Sequence, residues 1–312
     1  MEHPDYSLEQ LSADNLHDLY RLFKSVYGKK QHPGFFHRKY DTAYTGHSYI
    51  GYFAYSRDRT PIAFYGVIPC FLRGGGKRIL AAQSTDTMTH PDYRLKGVFM
   101  KLAERCFQLC QDHGILLLFG FPNQNSYHGF LKLGWTMTGT MDFFSLQVVK
   151  VSWKNLSSKF SLTRIAYKWY CKRVLNKYIL PERGIGNRLI KEGFTGIDRD
   201  ESYLRYKTYS ETLVLGISQS KVWVEIKYGL AIGDIELGTN EDFDAVIQLL
   251  LQLCRKLGLK EINFHTSPGT LLHRLFTNHY SSKPSFPIIL LGLDPDYSLD
   301  NIKFTLADID IF

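Results

Sequence analysis

The spacing of hydrophobic positions changes twice in the first part of the chain. Leu16, Leu19, Tyr20, Phe23 and Val26 recur every three or four residues, which predicts a helix capped by Asp14 and running to about Tyr27. A shorter helix is expected around Phe35 to Ala43, after the Pro33-Gly34 break. The period then falls to that of strands over Tyr49 to Tyr55, Ile62 to Leu72 and Arg78 to Met88. Gly74-Gly75-Gly76 reads as a hairpin turn rather than a phosphate loop, because no helix follows it and its lysine lacks Walker spacing. Helical period returns from Gly97 to His113. Phe99, Leu102, Ala103, Cys106 and Cys110 make one apolar face, and Lys101, Glu104, Arg105 and Asp112 fall off it. Gly114 ends this helix, and the unbroken apolar run Ile115 to Phe119 predicts a strand covered on both faces. A short helix follows Pro122-Asn123-Gln124-Asn125-Ser126, and Leu133-Gly134-Trp135 leads into a last strand or two ending near Val149.

The later pattern repeats the earlier one. Strand-like segments at Thr212 to Ser218, Val222 to Tyr228 and Leu230 to Leu237 precede a helix capped by Asn240, with Glu241 and Asp242 in its first turn, Arg255 and Lys256 in its last, and Gly258 after it. Gln108-Leu109-Cys110 followed by Gly114 recurs as Gln252-Leu253-Cys254 followed by Gly258, so position 252 answers to 108 at an offset of 144. The shared order of elements predicts two copies of one fold.

Composition fits this reading. A chain of 312 residues with 44% apolar and 22% charged residues has the size for one large or two medium domains. It contains no run of about 18 apolar residues, so no membrane-spanning helix is expected. Its first residues lack the basic and apolar regions of a signal peptide, which predicts a cytoplasmic protein. The five cysteines lack paired metal-ligand spacing, and Cys106 and Cys110 fall on an apolar helix face as buried thiols. No metal site is expected.

Charge is concentrated. From Lys150 to Lys191 eleven basic residues stand against the single acid Glu182; the segment carries +10 of a net +8, leaving −2 elsewhere. Trp153, Phe160, Ile165, Trp169, Tyr170 and Val174 interleave with these cations over a helix expected from about Leu162 to Tyr178. The segment reads as a basic linker helix between domains, with peripheral membrane contact by 153–178 or an anionic acceptor as the second reading. No specific DNA binding is expected.

The chemistry concentrates where His90-Pro91-Asp92-Tyr93-Arg94-Leu95-Lys96-Gly97 ends a strand and opens a helix. A helix N-terminus presents unpaired amides and partial positive charge, and so attracts anions. Arg94 and Lys96 add cations there, and Gly97 permits close approach to the backbone. A diphosphate suits such a turn; the alternative is a solvated basic turn that only begins a helix. At the offset of 144 the second copy has Gly238-Thr239-Asn240-Glu241, whose carboxylate satisfies its own helix dipole and repels a diphosphate.

Two helices, three antiparallel strands, an Arg-x-x-Gly turn into a helix, a buried strand, an Asn-containing loop, a short helix and Leu-Gly-Trp together resemble the GCN5-related N-acetyltransferase (GNAT) family. In that family Arg/Gln-x-x-Gly-x-Gly/Ala holds the pyrophosphate of acetyl-CoA. Arg94-Leu95-Lys96-Gly97-Val98-Phe99 matches four positions and departs at the sixth, where Phe99 is bulky. Asn123 and Gly134-Trp135 match the later pattern, while the family's tyrosine position is Phe130, which has no proton to give. The resemblance implies cofactor binding by Met88, Arg94, Leu95, Lys96, Gly97, Val98, Phe99, Asn123 and Phe130. Tyr127 is the candidate to protonate the leaving thiolate, with His128 nearby. Asp86, inside the strand that leads to the turn, is the candidate base, or else an exposed strand residue.

The resemblance therefore implies an α/β (α+β) fold of two GNAT-like mixed, mostly antiparallel sheets flanked by helices. Residues 1–150 form an acetyl-CoA-binding domain, 151–190 a basic helical linker, and 191–312 a degenerate copy walling the acceptor cleft, as in FemX-type tandem transferases. The implied activity is acetyl transfer to an amine or hydroxyl of a small-molecule acceptor such as an amino sugar. The alternatives are transfer from an aminoacyl-tRNA and a non-catalytic coenzyme A-binding scaffold.

Overall fold

The structure, a computed structural model, describes residues 6–32, 34–148, 169–227, 229–238, 243–294 and 301–312. Its contacts divide the chain into two compact units, Met1–Gly139 with Phe286–Asp300, and Thr140–Ser285 with Asn301–Phe312. Neither unit is continuous in sequence, unlike the expected segments 1–150 and 191–312.

In the first unit β1 (Tyr6–Gln10), β2 (Gly51–Ser56), β3 (Pro61–Gly74) and β4 (Lys77–Thr89) form an antiparallel meander. The glycine triplet is the expected hairpin. Gly74 faces Lys77, and Gly75 and Gly76 both take positive φ, as a tight two-residue turn matched to strand twist requires. β5 (Leu117–Gly120) runs parallel to β4, and residues Ile289–Gly292 of β12 (Ser282–Gly292) close the sheet antiparallel to β5.

Helix α1 (Leu16–Tyr27) buries Leu16, Leu19 and Leu22 and packs on β3 and β4, beside α2 (Phe35–Tyr40). The expected Asp14 cap is not formed. Asn15 stands at the N-cap position, but its side chain works backwards: Oδ1 accepts from Ser12 N at 2.9 Å and the amide donates to the Gln10 carbonyl, tying the end of β1 to the helix start. Helix α3 (Val98–Asp112) covers β2 and β3 with Leu102, Ala103, Cys106 and Cys110 buried, as its period predicts; Val98 is buried as well, and Phe99 of the expected face is partly buried. Burial pushes the Cys106 thiol well above its ordinary pKa, so it stays protonated and apolar in character. Helix α4 (Gln124–Lys132) follows β5 and leads to β6 (Thr136–Gln147), whose residues from Thr140 on belong to the second unit.

In the second unit a two-residue strand, β7 (Gly196–Ile197), precedes β8 (Thr212–Ile217), β9 (Ser220–Ile226) and β10 (Leu230–Glu236), which form an antiparallel meander. β10 is parallel to β11 (Glu261–Thr266), and residues Asp142–Gln147 of β6 lie antiparallel to β11. The helix Phe243–Leu257 has the same 15 residues as α3 and the same kind of ending, Gly258 at φ 64 against Gly114 at φ 69. A shorter helix, Leu271–Thr277, precedes β12. The expected cap Asn240, with Glu241 and Asp242, lies outside the described residues. So does the expected linker helix before 169; residues 169–175 are helical, with Trp169 and Tyr170 exposed and Arg173 over the Trp169 ring. No helix among the described residues is long and apolar enough to cross a membrane.

Candidate active site

The first unit's sheet opens next to the Arg94 turn. β4 pairs with β5 only as far as Gln83 opposite Phe119, although β4 continues to Thr89. Past that point the β3–β4 register shifts: Gly66 faces Thr85 but Phe64 faces Met88, so Asp86 and Thr87 together oppose Tyr65. This is a β-bulge, with Asp86 at φ 50, a conformation uncommon for a residue with a Cβ.

Helix α2 pins the bulge. Lys39 Nζ lies 2.7 Å from Asp86 Oδ2 and donates to Thr85 Oγ1 at 2.8 Å; the neighbouring Tyr40 hydroxyl donates to the same Oδ2 at 2.9 Å. Asp86 is thus not the exposed strand residue of the alternative reading. Gly66 makes room for this arrangement, since a Cβ there would stand 2.8 Å from the Tyr40 hydroxyl. On the other face of β3, Tyr65 is fully buried and accepts from Ser84 Oγ at 2.9 Å; burial holds its phenol protonated. Tyr27, the last residue of α1, belongs to the same neighbourhood. Though Tyr27 is half exposed, its phenol is pushed up, by partial burial first and then by the charge of Asp86, with Arg94 and Lys39 opposing.

From Thr89 the chain passes through a 3-10 turn, Pro91–Tyr93, into Arg94, whose Nε donates to the Thr89 carbonyl at 3.3 Å. Leu95 (φ 62) and Gly97 (φ 74) bend the backbone into α3. Leu95 is fully exposed, and Lys96 Nζ sits 5.0 Å from the centre of the Tyr93 ring. No side chain caps α3. The amides of its first turn have no intrahelical acceptor and carry the positive end of the helix dipole. A Cβ added at Gly97 meets nothing within 4 Å, so the space over the turn is open.

The other expected residues are placed differently. Met88 packs with Leu16, Leu19 and Phe36 under α1 and α2, and the Val98 side chain is in the core under α3; for both, only the backbone is near the turn. Asn123 uses its Oδ1 as the N-cap of α4, accepting from Asn125 N at 2.9 Å and Ser126 N at 3.1 Å. Phe130 is a core residue, 4% exposed, edge-on to Phe99 at 5.6 Å and to Trp135 at 5.0 Å. The bulk of Phe99 is accommodated by Gly129, where a Cβ would come within 2.8 Å of Phe99 Cε1. Tyr127 donates its hydroxyl to Met137 Sδ at 3.1 Å. The structure thus joins Arg94 through Val98 at one turn and adds Lys39, Tyr40 and Tyr27 beside Asp86. No motif pointed to these three; the Lys-Tyr pair lies in a helix too short for its buried face to be read. Among the described residues no group of three or more His, Cys, Asp or Glu is placed to hold a metal.

The model of a family described as acetyltransferase (GNAT) domain matches residues 7–138, the segment containing the turn, the bulge and their helices. No curated protein matches the chain in sequence. Among solved structures the chain is similar to a GCN5-related N-acetyltransferase from Kribbella flavida, at 15% identity and TM-score 0.60, over 93% of this chain and 72% of that one. It is also similar to a conserved protein of unknown function from Enterococcus faecalis V583 (13%, TM-score 0.61, 92% and 73%). A third is a GCN5-related N-acetyltransferase from Anabaena variabilis ATCC 29413 (12%, TM-score 0.56, 93% and 73%). At these identities the likeness is one of fold. Residues 7–138 thus match an acetyltransferase (GNAT) domain, and the chain shares the mixed, mostly antiparallel fold of these N-acetyltransferases.

Proposed function

We propose that the protein transfers an acetyl group from acetyl-CoA to an amine or hydroxyl of a small-molecule acceptor, and that the two units are copies of one fold of which the first holds the cofactor. The observation that carries the cofactor assignment is the uncapped start of α3, with Gly97 at φ 74, open space above it, and Arg94 and Lys96 on the same turn. These groups fit a diphosphate: the amides and helix dipole accept its charge, and the two side chains add to the field. Acetyl-CoA, when bound, supplies the acyl group as an activated thioester.

The chain's own residues do the rest. The Asp86 bulge turns backbone away from the β3–β4 ladder where β4 leaves β5, and Lys39 with Tyr40 holds it there. With both described partners on its Oδ2, Asp86 is assigned a positioning role: it fixes the bulge rather than collecting the acceptor's proton. Tyr127 is the proposed proton donor to the leaving sulfur, since its described hydrogen bond goes to a thioether, a weak acceptor that is readily given up. The +10 segment 150–191 supports an anionic acceptor. The two-copy reading rests on the shared meander, the parallel strand and the paired 15-residue helices.

Isothermal calorimetry with coenzyme A tests the assignment. Gly97→Glu, and Arg94→Ala with Lys96→Ala, should each weaken binding by about tenfold or more, a loss of ~1.4 kcal/mol or greater. Unchanged affinity in a folded variant would rule the turn out as the cofactor site.

A further inference from the structure

The second unit has an opening of the same construction, and there it is filled. β10 pairs with β11 from Leu230 opposite Ile262 to Ile232 opposite Phe264; directly beyond, its register with β9 shifts at Gly233. In the first unit the same features follow Gln83, with the shift at Asp86. Segment 301–312 enters the second unit's opening. Thr305 bridges to Thr266 at the end of β11, Ser267 N donates to the Phe304 carbonyl, and Phe304 N donates to Ser267 Oγ, both at 2.9 Å. The turn Leu306–Asp308 then packs on both β10 and β11. At the shift, a Cβ on Gly233 would collide with the Phe312 ring, so the missing side chain is the space that ring occupies.

A fully buried guanidinium locks the segment in. Arg199 donates to Asp308 Oδ1 at 3.0 and 2.8 Å, to Thr305 Oγ1 at 2.9 Å and to Asp234 Oδ2 at 2.6 Å, and Asp234 is the first residue after the shift. Lys207, also buried, donates to the Ile309 carbonyl at 2.7 Å. A ligand from solution would have to displace an aromatic ring and strip a buried arginine of one carboxylate, and unpaired buried charge is strongly disfavoured.

We propose that residues 301–312 are the resident ligand of the second unit. They stand beside the bulge and between the diverging parallel strands, where the first unit offers its place to coenzyme A, with the Asp308 carboxylate as the anion and Phe304 and Phe312 as the apolar part. The chain therefore binds one coenzyme A, and its second groove is permanently taken. The proposal rests on the assignment of the first unit made above.

The test combines native mass spectrometry with coenzyme A and hydrogen exchange on the full chain. One coenzyme A per chain is expected, with amides 304–309 as protected as β10 and unmoved by the ligand. Gly233→Ala, and independently Phe312→Ala, should raise exchange over 304–312 by about tenfold or more, because the segment's opening becomes local. Coenzyme A affinity at the first unit's α3 turn should change by less than about twofold. A second bound coenzyme A, a segment exchanging at unstructured rates in the unaltered chain, or exchange unmoved in both variants overturns the proposal. No coenzyme A bound at all, with the segment protected and loosened by both variants, supports the occupancy and overturns instead the assignment of the first unit.

Discussion

Lys39 Nζ stands 2.7 Å from Asp86 Oδ2, with 3% and 13% of the two side chains exposed, so a nearly dry ion pair joins α2 to the bulge of β4. Removing one partner of such a pair strands the other charge. Lys39→Met should cost about 3 kcal/mol, the lower end of the usual 3–5 because Asp86 keeps some access to water. Adding Asp86→Asn to the same chain should recover more than half of that loss, since no unpaired charge remains. Urea unfolding of the three proteins checks this. In turnover assays Lys39→Met should lower kcat more than it raises the coenzyme A Kd, because the bulge and not the α3 turn is disturbed.

Phe99 and Gly129 form a second coupled pair. Alanine is intrinsically better than glycine inside a helix by up to about 1 kcal/mol. At position 129, however, the new Cβ would stand 2.8 Å from Phe99 Cε1, inside a core that also holds Tyr65 and Phe130. Gly129→Ala should therefore destabilise by about 1–3 kcal/mol, as overpacking does. Phe99→Leu in the same background should relieve it, giving a double-mutant coupling of at least ~1 kcal/mol in thermal or urea unfolding.

How much was legible in the sequence follows from how local each cause is. Helix α3 and its opening turn were readable because a helical period, an Arg-x-x-Gly step and a closing glycine all lie within a short stretch. The likeness of Gln108 to Gly114 and Gln252 to Gly258 was readable for the same reason. β6 was legible only as a strand, because which unit it completes depends on a distant partner, Phe264 for Phe144; β12, which sets Ile289 against Gly120, was not read from the sequence. Nothing local in the sequence sets Lys39 apart, and its burial is decided by Asp86, far along the chain. Nor does anything local in the sequence mark Asp308 as buried; Arg199, over a hundred positions earlier, makes it interior. Phe99 and Phe130 read as departures from a motif; in the fold they are members of one aromatic cluster, which Gly129 makes room for.

His265 supplies a pH-dependent term in the second unit. Its ring stacks on Phe143 at 4.7 Å and its Nδ1 lies 3.1 Å from Ser285 Oγ, and burial lowers its pKa from 6.5 to about 4. The folded pKa is depressed, and for a histidine this means the folded state prefers the neutral ring. Above about pH 6.5 both folded and unfolded chains hold the ring neutral, and its contribution to stability is complete. As pH falls from there to about 4 the unfolded chain binds a proton that the folded chain refuses, so stability is lost across that window, by up to about 3 kcal/mol. Carboxylates elsewhere also titrate as the pH drops, but they do so equally in a chain lacking the imidazole. The measurement is therefore the difference in urea-unfolding free energy between the unaltered protein and His265→Phe, at intervals from pH 7.5 to 4.5. That difference should move in favour of the variant by about 2 kcal/mol as pH falls. Parallel pH profiles would show that the ring protonates as easily in the folded chain as in the unfolded one.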